Sequence, residues 1–189
     1  MLEPYQTCHQ LRVIALETPY RPTLTDNDLE DLVKAWPHLE VFHLIQHGIP
    51  YPLVHLTLRG ITALLYHCPK LRHFALMFDA TWVPEDTALL SRGILSAVKY
   101  MGVDRSPVSP SDDVAAYFST IMPYLEVVCV HDRHGDWSQW QWICSQHQQI
   151  PVVRENLSPE ELRIILTGTG DHHNTYFSRD WEWKSLRNW

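Results

Sequence analysis

The chain has 189 residues and is 45% hydrophobic, enough apolar material for one domain or one compact repeat array and too little for two unrelated enzyme domains. Fifteen Lys and Arg against 22 Asp and Glu leave a formal charge of -7, so no basic field draws nucleic acid or an anionic membrane, and neither is expected as a partner. Seven glycines, none in a GxGxxG or P-loop pattern, argue against dinucleotide and P-loop chemistry.

The opening MLEPYQTCHQ carries an early glutamate where a secretory signal has a basic region and an apolar run, and no stretch of 18 apolar residues occurs. A soluble protein of the cytoplasm or nucleus is expected. Accordingly Cys8, Cys68, Cys129 and Cys144, which form no CxxC, are read as reduced thiols that are mostly buried, and the sequon at Asn156 as unused.

A first strand is expected over Leu11–Leu16, and a helix follows over Asp28–Ala35. Leu29, Leu32, Val33 and Trp36 give that helix an apolar stripe, Thr25 and Asp26 cap it, and Pro37 ends it. Leu39–Leu44 reads as the second strand. The next helix starts at Thr57 and carries Leu58, Ile61, Leu64 and Leu65 to Cys68-Pro69, before a third strand at Leu71–Leu76. Leu95–Tyr100 reads as a fourth strand. A helix from Ser111, with Val114, Tyr117, Phe118 and Ile121, runs to Met122-Pro123, and Leu125–Val130 is the fifth strand. Beyond it, Trp137, Trp140 and Trp142 line a further helix. Ser158, Pro159 and Glu161 open another that Gly168 closes, and residues 171–189 form a tail rich in charges and aromatics.

The strands share one frame, Leu-x-x-apolar-x-apolar, with leading leucines at 11, 39, 71, 95 and 125, spaced 28, 32, 24 and 30 residues. Each proline stops a helix and pushes the residue before it into extended backbone, so Pro37, Pro69 and Pro123 are expected between a helix and a strand. Such units cannot bury their apolar stripes alone and stack. The expected fold is therefore α/β: a short irregular leucine-rich-repeat solenoid over residues 1–135, parallel strands on one face and helices on the other. Residues 136–189 are expected to form a Trp-rich helical C-terminal cap and tail.

In that frame the first, fourth and sixth positions point inward, stacking Phe42, Phe74 and Val128 in one column, and the third and fifth face away. The outward set is Val13 and Ala15, Val41 and His43, His73 and Ala75, Ala97 and Lys99, Val127 and Cys129. From it the candidate partner-binding residues are Val13, Val41, His43, His73, Ala75, Lys99, Val127 and Cys129, a largely apolar face suited to a protein partner.

Cys129, His131, Asp132, His134 and Asp136, with Cys144 and His147, include residue types that zinc accepts, but no CxxC or HxxxH spacing joins them. No GxSxG motif or activated cysteine is present either. The expectation is a non-enzymatic chain without metal or cofactor; the alternative is a metal-dependent enzyme using Cys129, His131 and His134.

The order of Leu24–Leu29, Ala35-Trp36-Pro37-His38-Leu39-Glu40, Leu56–Ile61 leading to Cys68-Pro69-Lys70-Leu71, and Ser106-Pro107 leading to Met122-Pro123-Tyr124-Leu125 resembles the C-terminal leucine-rich-repeat region of mushroom-type (basidiomycete) fungal F-box proteins. The resemblance spans roughly residues 5 to 145. It implies a protein-binding region that selects substrates for a cullin-RING ubiquitin ligase, with the ligase adaptor as a second partner if an F-box is supplied elsewhere. No F-box-like helical segment precedes Leu11, so this chain reads as a fragment, a truncated relative, or a binder that delivers nothing to a ligase. For the same reason the edge around Val13, Ile14 and Leu16 is expected to be the least protected apolar surface.

Overall fold

The fold was analysed in a computed structural model that describes residues 3–18, 24–46, 54–85, 96–103, 105–130, 137–146, 150 and 152–153. The expected helix at 158–168, the tail, Leu95, His131, Asp132, His134, Asp136 and His147 lie outside these residues. Contacts divide the chain after Arg154, so the last described strand still belongs with the residues before it.

Among the described residues, six strands form one sheet: β1 (Val13–Thr18), β2 (Val41–Gln46), β3 (His73–Ala75), β4 (Tyr100–Gly102), β5 (Val127–Cys129) and β6 (Val152–Val153). They lie in chain order and every pair is parallel. Parallel neighbours require crossovers. Helices α1 (Asp26–Val33), α2 (Leu58–His67), α3 (Asp112–Ile121) and α4 (Trp137–Gln146) supply those after β1, β2, β4 and β5. The fold is thus α/β with an all-parallel sheet.

Helix starts follow from local chemistry. Thr25 and Asp28 form a capping box: the Thr25 hydroxyl accepts from the Asp28 amide, and the Asp28 carboxylate accepts from the Thr25 amide at 3.0 Å. Those bonds to Thr25 hold the Asp28 carboxyl below its ordinary range. Thr57 and Ser111 cap α2 and α3 through the hydroxyl alone, accepting from the Arg59 and Val114 amides.

The helix ends repeat more closely still. Pro37, Pro69 and Pro123 each fall between the last helical residue and the next strand. Around each, one backbone bond closes the turn: Leu39 to Trp36 at 3.0 Å, Leu71 to Cys68 at 3.0 Å, and Leu125 to Met122 at 3.2 Å. The next carbonyl in line then accepts two amides from the following strand. Arg12 takes Glu40 and Val41, Glu40 takes Arg72 and His73, Arg72 takes Lys99 and Tyr100, and Lys99 takes Glu126 and Val127.

This last series corrects the fourth strand. The structure pairs His73 with Tyr100, Phe74 with Met101 and Ala75 with Gly102, so the frame starts at Val98, three residues later than the Leu95 alignment. Val98, Met101 and Val103 are the inward residues, all essentially inaccessible. Lys99 therefore occupies the second position beside Arg12, Glu40, Arg72 and Glu126, and Tyr100 and Gly102 take the outward places assigned to Ala97 and Lys99. The hydrogen-bonding partner, not the apolar pattern, settled the register.

On the helix side, Phe42, Phe74, Met101 and Val128 are consecutive register partners with at most 1% of their surface exposed. Leu29, Val33 and Trp36 from the α1 region, Ile61 and Leu64 from α2, and Phe118 and Ile121 from α3 are buried in the same core. Past the strands the return segments are also joined: Asp79 donates to the Leu56 carbonyl, and Ala80 to the Pro107 carbonyl, both at 2.8 Å. Ser106 fastens this side, its hydroxyl accepting from the Phe78 amide at 3.0 Å while its carbonyl accepts from the Trp140 indole at 3.1 Å. Trp140 is fully buried and Trp142 half-buried, so the expected Trp-lined helix exists as α4.

Strand β1 has no partner on its outer side among the described residues. Val13 is 45% exposed, while Ala15 and Leu16 are half-buried and Ile14 is 8% exposed, so this edge is less enclosed than β2 to β5. It is not bare. A 3-10 turn at Glu3–Thr7 precedes it, the Trp36 indole donates to the Tyr5 carbonyl at 3.0 Å, and His9 Nδ1 donates to the Ala35 carbonyl at 3.2 Å.

Candidate functional site

The sheet face away from the helix-side core is built from two rungs. Val13, Val41, His73, Tyr100 and Val127 form one, and Ala15, His43, Ala75, Gly102 and Cys129 the other. Side-chain alternation places both rungs on one face, and none of these residues belongs to the core cluster on the helix side.

Structure and expectation part over how open this face is. Val41, His43, His73, Ala75 and Cys129 are buried, with His73 only 1% exposed. Val13 is exposed, Val127 is half-buried, and Lys99 is exposed but stands at the strand-start edge. Alternation told which face each side chain takes; it carried no information on whether that face is enclosed.

Tyr100 and Gly102 are the residues that the sequence frame missed, and both matter here. The His43 and His73 rings lie against the Tyr100 ring, with centroids 6.3 Å and 5.7 Å away. His43 on β2 reaches Tyr100 on β4 past the intervening β3, where its own register partner is the small Ala75. A Cβ on Gly102 would stand 2.7 Å from the Ala75 Cβ, so only glycine fits beside that alanine. The signal was present as Val98-Lys99-Tyr100-Met101-Gly102-Val103, which fits once the leading leucine is relaxed to any aliphatic residue.

His43 Nε2 and both ring nitrogens of His73 are buried without a hydrogen-bond partner among the described residues. Burial, with the neighbouring His73 adding to it, pushes the His43 imidazole down to about 3. Burial followed by the cations Arg72 and Lys99 pushes His73 down to about 4. Both rings are neutral at pH 7.

No group of three or more His, Cys, Asp or Glu side chains converges on a metal-sized site among the described residues. Of the Cys129, His131, His134 set, only Cys129 is described, and it is buried. Burial raises the thiols of Cys68 and Cys144 to about 12, which keeps them protonated and unreactive.

The second-position row runs along the strand starts. Arg12 binds Glu40 through two bonds, Nε to Oε1 at 2.8 Å and Nη2 to Oε2 at 3.0 Å, and Lys99 binds Glu126 at 2.6 Å. Arg72, between these pairs, is exposed and has no ion-pair partner among the described residues. No protein-family model matches the sequence, and no curated protein matches it.

Proposed function

We propose that the chain is a short leucine-rich-repeat solenoid that serves as a non-enzymatic protein-recognition module, of the kind that selects substrates in an F-box subunit of a cullin-RING ubiquitin ligase. The observation that carries this reading is the recurring turn into each strand, with its closing bond and its doubly accepting carbonyl. With the fourth frame at Val98, the first five units start at residues 11, 39, 71, 98 and 125, spaced 28, 32, 27 and 27. Helix α4 continues the alternation, crossing from β5 to β6 with Trp140 buried in the shared core.

Recognition then falls on the strand-start row, since most of the far face is enclosed. Arg72 is the natural anchor, because the cations on either side of it in the row already hold a carboxylate. The partner is a protein that presents an acidic side chain there.

Affinity capture with the full chain and with its Arg72→Glu variant tests this reading, with circular dichroism confirming that both fold. A protein recovered by the wild type and lost with the variant supports it. Identical captures would refute the assignment to Arg72, and wild-type captures without cullin-RING components would refute the ligase role.

A further inference from the structure

The two ends of the described sheet are built differently. Strand β6 spans two residues, whereas β1 spans six, pairs with β2 at every one of them without a bulge, and contains neither proline nor lysine. Short length, bulges, prolines and lysines are devices that keep a sheet edge from joining another chain, and β1 uses none of them. It is also accessible: Val13 is 45% exposed, and Ala15 and Leu16 are half-buried.

The recurring strand junction shows which backbone groups this edge offers. Val41, His73, Tyr100 and Val127 each donate an amide to the unit before. Val13 is their register equivalent, so its N–H and C=O point off the open side of β1, and those of Ala15 and Glu17 follow by alternation.

We propose that this edge is a dimerisation surface whose occupant is β1 of a second copy, the two strands running antiparallel about a two-fold axis at Ala15. A two-fold axis makes the contact isologous, so the strand must be complementary to itself. Val13-Ile14-Ala15-Leu16-Glu17 meets that condition. Val13 stands opposite the partner's Glu17 and Ala15 opposite the partner's Ala15, so every outward residue meets another outward residue and each pair exchanges both backbone bonds. On the helix side Ile14 meets the partner's Leu16, which carries the apolar row across the axis, and no pair sets like charges against each other.

Other registers are poorer. A shift of one residue sets inward side chains against outward ones. A shift of two that brings Arg12 opposite the partner's Leu16 places a guanidinium already held by Glu40 against an apolar residue. A parallel strand from another protein would satisfy the same amides but would gain nothing from this symmetry. The surface is on β1 and Arg72 stands at the start of β3, so the dimer does not depend on the recognition role assigned to Arg72.

Sedimentation of the full chain over a range of concentrations tests the dimer, with amide hydrogen exchange at the two ends of that range. The expected result is a reversible monomer–dimer equilibrium in which the amides of Val13, Ala15 and Glu17 gain protection as the dimer forms while those of β3 and β4 do not change. Val13→Pro removes an amide that donates to nothing among the described residues; it should leave the circular dichroism intact and weaken the dimer about tenfold or more. Ala15→Lys and Ala15→Glu each set like charges together on the axis and should each weaken the dimer, whereas an equimolar mixture of the two should restore it. A monomer at every concentration up to about 0.5 mM would overturn the proposal. So would a dimer that leaves those three amides unprotected, or folded Ala15 variants that do not rescue each other. The wild-type measurements need no variant, so they decide the question even if a substituted chain fails to fold.

Discussion

Asp26, the first residue of α1, sets its carboxylate on the N-terminus of the next helix, directly over Gly60. Its Oδ1 accepts from the Thr57 amide at 2.7 Å and the Gly60 amide at 3.1 Å, and its Oδ2 accepts from the Thr57 hydroxyl at 2.7 Å. One helix thereby caps its neighbour, satisfying amides that have no partner within α2 and placing an anion at the positive end of its dipole.

This contact reverses a familiar substitution. Alanine normally improves a helix over glycine by about 1 kcal/mol. At Gly60, however, a Cβ would stand 2.5 Å from both Asp26 Oδ1 and Leu56 Cδ1. Gly60→Ala should lower the unfolding free energy by about 1 to 3 kcal/mol in urea denaturation. In an Asp26→Ala background the loss should shrink, and a stabilised Gly60→Ala single variant would contradict the cap.

A parallel test applies to the sheet. Gly102→Ala pushes a methyl into Ala75 and should cost about 1 to 3 kcal/mol. Ala75→Gly in the same chain should recover part of the loss, giving a coupling of about 1 kcal/mol in a double-mutant cycle. Strict additivity would mean that the two strands do not approach as described.

Phe74 lies in the middle of the inward column and is fully buried, with Phe42 on one side and Met101 on the other. Phe74→Ala should cost on the order of 3 to 5 kcal/mol by denaturant titration. Val13→Ala, at an exposed position of the edge strand, should change stability by less than about 0.5 kcal/mol.

Much of this was legible because its causes are local. The Thr25 cap, the helix starts at Thr57 and Ser111 and the three proline turns depend on residues within a few positions, whereas Asp26, expected to cap its own helix, caps the next one across 31 residues. The fourth strand was not legible in the same way. Leu95 and Val98 both head an apolar frame, and the choice rests on which one meets β3, a relation between residues about one unit apart in the chain. The face of His43 and His73 followed from alternation, but their enclosure depends on tertiary packing, and polar side chains read alone suggest an open surface. Tyr100 was out of reach until the register was right.

The thiols give a rapid check on burial. Among the described residues Cys8 is exposed, while Cys68, Cys129 and Cys144 are buried. The Cys68 thiol also donates to the Trp36 carbonyl at 3.4 Å. Under native conditions a thiol reagent should modify Cys8 rapidly and the other three only as the protein unfolds, whereas all four should react together in denaturant. Fast native labelling of Cys68 would contradict the packing of α1 against α2.

The strand order also bears on how the chain acquires its fold. Among the described residues every strand pair joins consecutive strands, and the partners Val13–Val41, Val41–His73, His73–Tyr100, Tyr100–Val127 and Val128–Val152 lie 28, 32, 27, 27 and 24 residues apart. Each pairing thus closes a loop of similar length, at an entropic cost that scarcely changes from one to the next. None of the described strands waits for a distant partner. A chain emerging from the ribosome can add its strands in the order of synthesis, each new one docking on an edge already formed.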